Sequence, residues 1–184
     1  MTAVLVPWSV KTALQNLKRF STCDIGDALV KLKYPRGGFL SGLQMFSPGG
    51  DTKICGPAIT VKMVETNSPG PTLPVHFADA NKEDHIIEHQ EMAFPVFARG
   101  TSVLGSNTFT RSSEINVPVQ FHGDLWIHPN DVLVGNQNGV VVVPPSLMEQ
   151  VVVLCQERFE IDEKTFAALR AGEPMGPTIK RLRK

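Results

Sequence analysis

The chain has 184 residues, of which 42% are hydrophobic and 20% charged, with 18 Lys+Arg balancing 18 Asp+Glu. That length suits one domain with a buried core, and the even charge argues against a disordered chain or one that coats nucleic acid through bulk positive charge. Cys23, Cys55 and Cys155 are odd in number and far apart, so neither a disulfide framework nor a CxxC metal site is expected, and a reducing, cytoplasmic setting is the simplest inference. The opening "MTAVLVPWSVKTALQ" has no basic n-region or cleavage site, and no segment reaches the roughly 18 apolar residues of a membrane span.

Apolar residues at helical spacing from Val10 to Leu32, interrupted at "FSTCD", predict two short helices with a kink. Ser21 or Thr22 can cap the second, with Asp24 in its first turn. Ile54 to Glu65 alternates and is rich in β-branched residues, which predicts a strand with Gly56-Pro57 at a bulge or edge near its start. "TNSPGPTLP" is a loop, Asp84 to Met92 a short polar helix, and "FPVFARG" a strand ending at Gly100. Residues 101–121 read as loop plus edge strands. The clearest signal is a β-hairpin, in which Asp131 to Val134 and Val140 to Val143 flank the turn "GNQNG". Pro144-Pro145 stops the second strand, and Ser146 is placed to cap a helix from Leu147 to Leu169 with a broken apolar stripe. The terminal "KRLRK" reads as a solvated basic tail, since it lacks interleaved aromatics.

Five residues in the polar helix, H-I-I-E-H from His85 to His89, match the H-x-x-E-H pattern of inverted zinc proteases. On a helix His85, Glu88 and His89 lie near one face, where they can approach a common ion. A third ligand must then come from elsewhere, and His76, Asp79, His122 and His128 are the available side chains. A solvated polar helix with no metal accounts for the same residues. Cys155, on the apolar stripe of the last helix, reads as packed rather than nucleophilic. Ser21, Thr22 and Asp24 read as capping groups, and Gly135 and Gly139 join two strands rather than opening a phosphate-binding helix.

Taken in order, "STCDIGDAL", "GPAITV", "FPVFARGTS", "NDVLVGNQNGVVVVP" and "EKTFAALRAGE" resemble the landmarks of the RraA-like family over roughly Phe20 to Glu173. That family includes the ribonuclease E activity regulator A proteins and the class II 4-hydroxy-4-methyl-2-oxoglutarate aldolases. "HFADANK" and "RGTSVLGSNTFTRSSEINVPVQF" resemble its fungal branch. The resemblance implies an α/β fold with a layered β/β/α arrangement. It implies a single domain over 1–184, with a helical N-terminus at 8–33, a core at 54–145, and a C-terminal helix and tail at 146–184. It also implies trimers or hexamers with active sites between subunits, acting on small 2-oxo acids with Mg²⁺ or Mn²⁺, and no nucleic acid or membrane partner.

The family's site consists of a G-E-L-L-A helix start and, further on, R-D-x-x-E/D, in which the Arg orients substrate and the acidic residues serve the metal. Aligned backwards from "FPVFARG", Glu88 falls on the later acidic position, His85 on the metal Asp and Asp84 on the Arg. G-E-L-L-A has no counterpart, so a strand-helix-strand unit is expected to be missing, and H-I-I-E-H is the stump of R-D-x-x-E. Unpaired edges and exposed apolar faces are then expected around Ile59, Val61, Phe94 and Val96. The resulting expectation is a lyase of the aldolase and oxaloacetate decarboxylase type, impaired at its site. The alternatives are a non-catalytic regulator that binds a partner protein, and a truncated isoform with no function.

Overall fold

The computed structural model describes residues 10–47, 51–74, 94–102 and 109–183. Helices α1 (Val10–Leu17) and α2 (Thr22–Lys31) form the expected kinked pair. Ser21 is the N-cap of α2. Its hydroxyl accepts from the Asp24 amide at 3.1 Å, while the Asp24 carboxylate accepts from the Ser21 amide at 3.1 Å and the Ser21 hydroxyl at 2.7 Å. This reciprocal box satisfies two otherwise orphaned donors.

The strands are β1 (Gln44–Ser47), β2 (Ile54–Pro57), β3 (Val61–Glu65), β4 (Val96–Ala98), β5 (Thr110–Ile115), β6 (Val119–His122), β7 (Leu125–Ile127), β8 (Val132–Asn136) and β9 (Gly139–Val143). A three-stranded antiparallel sheet in the order β2-β8-β9 is joined by three two-stranded ribbons, β1-β4, β3-β5 and β6-β7. The hairpin β8-β9 runs in register from Val132 opposite Val143 to Asn136 opposite Gly139. Helix α3 (Met148–Arg170) and helix α4 (Met175–Leu182) close the chain.

Alternation along the hairpin separates two cores. Val132, Val134, Val141 and Val143 face one side, where they pack with Leu17, Ile25 and Leu29 of the first two helices and Val151, Val152 and Cys155 of α3. Val140 and Val142 face the other, with Leu40, Leu125, Phe97 and Ile127. Successive strand side chains point to opposite faces, so a strand covered by helices on one side and ribbons on the other is apolar at every position. Burial of each such valine is worth about 1.5–3 kcal/mol.

Three expectations are corrected. The strand expected over Ile54 to Glu65 is two strands in different sheets. Pro57 offers no N–H. At Ala58 the chain still follows β8, with its amide donating to Asp131 O at 2.7 Å, and by Thr60 it has turned to Asn116, whose amide donates to Thr60 O at 2.8 Å. Ser146 is not a helix cap, because it lies inside a 3-10 turn over Pro145–Leu147, and α3 has no side-chain cap. The basic tail is largely helical rather than free. Arg181 pairs with Glu173, and Arg183 pairs with Asp162 at 2.5 Å, which fixes α4 against α3.

Ile59 and Phe94 are 45% and 42% exposed, as expected for uncovered apolar faces, whereas Val61 and Val96 are half-buried. Among the described residues no helix is long and apolar enough to cross a membrane.

Candidate functional site

Asp84, His85 and Glu88, the residues that the family pattern marks, lie outside the described residues, as do His76, Asp79 and His89. His122 ends β6 opposite Leu125. The His128 ring is 3.5 Å from Asp131 Oδ2, which also accepts from the His128 amide at 2.8 Å. Buried Asp131 thereby closes the turn into β8, a structural use of both residues. Among the described residues no three His, Cys, Asp or Glu side chains gather as a metal centre.

What the described residues do assemble is a cleft over the start of α2. The Thr22 hydroxyl donates to Asn136 Oδ1 at 2.8 Å, and the Asn138 amide donates to the same oxygen at 2.9 Å. These bonds lock the β8-β9 turn to the helix. The Asn138 side-chain amide reaches Cys23 Sγ at 3.6 Å. The tight turn Pro35–Gly38 adds a rim, with Arg36, Gly37 and Gly38 at φ of 52°, 61° and 67°. A Cβ on Gly38 would stand 2.3 Å from Val142 O, and one on Gly37 would stand 2.8 Å from Val30 Cγ2. Only glycine fits at either position, both for conformation and for space.

The turn presses onto α2 and β9 and carries Arg36 to a cavity of about 330 Å³, lined also by Cys23, Asp27, Phe39 and Asn138. Apolar floor, one guanidinium, one carboxylate and an amide donor are the mixture found where a small polar ligand is held and oriented. Asp27 is the one carboxylate that the described residues bring to this cavity. Because Mg²⁺ takes carboxylates together with several waters and substrate oxygens, Asp27 alone does not make a metal centre.

A second, more open groove of about 610 Å³ runs along β2 past Lys18, Lys53 and Cys55. The Lys53 ammonium is already committed. Lys53 Nζ donates to Lys18 O at 2.8 Å and to Phe20 O, closing the carbonyl end of α1. Burial lowers the Lys53 pKa, while the Cys55 thiol and the Asp24 carboxylate pull it the other way. Burial also raises the Cys55 pKa and, with help from Asp24 and Asp27, pushes Cys155 up to about 12. The packed, unreactive reading of Cys155 therefore holds, and Cys23 is the exposed thiol. Sequence patterns pointed to neither Arg36 nor Lys53. "PRGG", an arginine between a proline and two glycines, is the signal that marks the first.

Residues 84–142 match the family model described as RraA-like, Aldolase/RraA. Over those residues the chain is similar to that family. A Halalkalibacterium halodurans protein, provisionally named a 4-hydroxy-4-methyl-2-oxoglutarate aldolase, is 37% identical over 70 residues, which cover 38% of this chain and 32% of that protein. The match thus spans about a third of that relative's length. A crystal structure of an uncharacterized protein from Pseudomonas syringae pv. tomato superposes with a TM-score of 0.74 at 23% identity, covering 94% of this chain and 99% of that one. A Streptomyces coelicolor protein, described as an unusual member of the RNase ES inhibitor RraA protein family, superposes at 0.64 with 18% identity, covering 89% and 100%. At these identities the two structures share their fold with this chain, a mixed α/β arrangement of helices and antiparallel sheets.

Proposed function

We propose that this RraA-like chain is a divalent-metal-dependent carbon–carbon lyase for small 2-oxo acids, of the 4-hydroxy-4-methyl-2-oxoglutarate aldolase and oxaloacetate decarboxylase type, with activity reduced by the residue at position 84. The observation that carries this reading is the aldolase/RraA match beginning at Asp84, supported by the name of the bacterial relative.

Breaking a carbon–carbon bond next to a 2-oxo acid leaves an enolate, whose charge must be stabilised as it develops. A bound Mg²⁺ or Mn²⁺ ion supplies Lewis acidity to the keto oxygen. Glu88 and His85 are the residues assigned to hold it. Asp84 stands where the resemblance places a carboxylate-binding arginine. Loss of that charged hydrogen bond costs about 1.5–3 kcal/mol, and repulsion between two like charges about 4 Å apart adds about 1–4 kcal/mol, depending on burial. A rate lowered by at least about a hundredfold follows.

In this reading one strand-helix-strand unit is absent before residue 84. The working form is a cytoplasmic trimer or hexamer, whose contacts cover Ile59 and Phe94. The test is release of pyruvate from oxaloacetate with Mg²⁺ or Mn²⁺. A rate above that of metal alone supports the lyase, and a rate equal to metal alone removes it. Asp84 also favours a second reading, a regulator that binds a protein partner without turnover, and measurable turnover counts against that one.

A further inference from the structure

Among the described residues four that are not glycine have positive φ: Lys33, Arg36, Asn116 and Asn130. Three have ordinary reasons. Lys33 follows the Leu32 C-cap of α2, where a left-handed residue commonly ends a helix, and asparagine tolerates this region better than most side chains. Arg36, at φ 52° and ψ 21°, has neither reason. It precedes two glycines that the packing demands, and a third glycine would adopt its conformation without strain.

Its visible contact does not repay that strain. Arg36 Nε stands 3.7 Å from Asp124 Oδ1, beyond hydrogen-bond range, and the two side chains are 47% and 72% exposed. Such pairs contribute little to stability. What the strained backbone achieves is to bring Arg36 to the lining of the cleft over α2, with its guanidinium resting loosely against Gly123 and Asp124. Non-glycine residues held in sparse backbone regions concentrate at ligand clamps.

We propose that Arg36 is a carboxylate-anchoring residue of this cleft, that it binds a small carboxylate ligand through its guanidinium fork, and that Asp124 competes with the ligand for it. The inference rests on the reading of the chain as acting on small oxo acids and adds a binding residue to it, independent of position 84. A guanidinium pairs with a carboxylate through two parallel hydrogen bonds. The loose pair with Asp124 leaves it available for that exchange.

The experiment titrates the full-length wild type, Arg36→Gly and Asp124→Asn with sodium oxalate at low ionic strength, reading intrinsic fluorescence, since Trp126 stands two residues from Asp124. Arg36→Gly suits the native backbone and therefore separates binding from folding. Expected are saturable oxalate binding by the wild type, at least a tenfold weaker dissociation constant in Arg36→Gly, and tighter binding in Asp124→Asn, where the competitor is gone. A merely structural Arg36–Asp124 contact predicts no gain in Asp124→Asn. Binding unchanged in Arg36→Gly, no gain in Asp124→Asn, or no saturable binding by the wild type each overturns the proposal. Pyruvate release measured on the same samples judges the lyase reading separately. Turnover without Arg36-dependent oxalate binding leaves the lyase and removes the anchor, and the converse removes the lyase and leaves the anchor.

Discussion

Thr22 and Asn136, 114 residues apart in sequence, are joined by a 2.8 Å hydrogen bond that pins the first turn of α2 to the hairpin tip. Thr22 is buried, and Asn136 Oδ1 also receives the Asn138 amide. Thr22→Val keeps the shape and removes the donor, so a loss of about 1 kcal/mol is expected in urea unfolding. Ser21→Ala, which removes the cap of the same helix, is expected to cost about 1 kcal/mol as well.

Gly38→Ala should be far more damaging. The added methyl meets Val142 O at 2.3 Å on a residue with φ of 67°, and backbone offers no rotamer by which to yield. A loss exceeding about 3 kcal/mol, or no soluble protein, is expected. Gly176→Ala, where nothing stands within 4 Å, is the control and should unfold like the wild type.

At Arg36 the sign reverses. Arg36→Gly releases a left-handed conformation that costs a non-glycine residue about 1–2 kcal/mol, partly offset by the greater chain entropy of glycine in the unfolded state. Its melting temperature should equal or exceed that of the wild type. Gain of stability with loss of ligand binding is the pattern of a residue retained for function.

Cys155 makes stability depend on alkaline pH. Its thiol is pushed up to about 12 in the fold from an ordinary value of 9.0, so between these values the unfolded chain loses a proton that the folded chain keeps. Stability from this group is complete below about pH 9 and falls as pH rises toward 12. Lys53, whose pKa is lowered, acts in the opposite sense. The difference between wild type and Cys155→Ala therefore isolates the thiol, and it should shrink from pH 8 to pH 10.5 in thermal melts. Ellman's reagent should modify Cys23 at once and Cys155 only on unfolding.

Much of the scaffold was legible because its signals are local. The cap at Ser21, the kinked helices and the valine hairpin follow from residues within a few positions of one another. The break in the strand after Pro57 was not legible, because its cause is Asn116 waiting about 60 residues on. The terminal helix was missed for a similar reason, as Asp162 and Glu173 neutralise a basic run that reads as solvated in isolation. Of the candidate site, the residues that the family resemblance marks, 84–88, lie outside the described part. The cleft that the structure does describe depends on "PRGG" meeting α2 and β9, a long-range contact with no periodic signature.

The most direct test of the proposed lyase chemistry compares wild type with Asp84→Arg for pyruvate release from oxaloacetate in Mn²⁺, against metal alone. Slow release by the wild type above the metal background, raised at least about a hundredfold by a restored guanidinium, is the predicted result. Rates for both proteins indistinguishable from metal alone would contradict it.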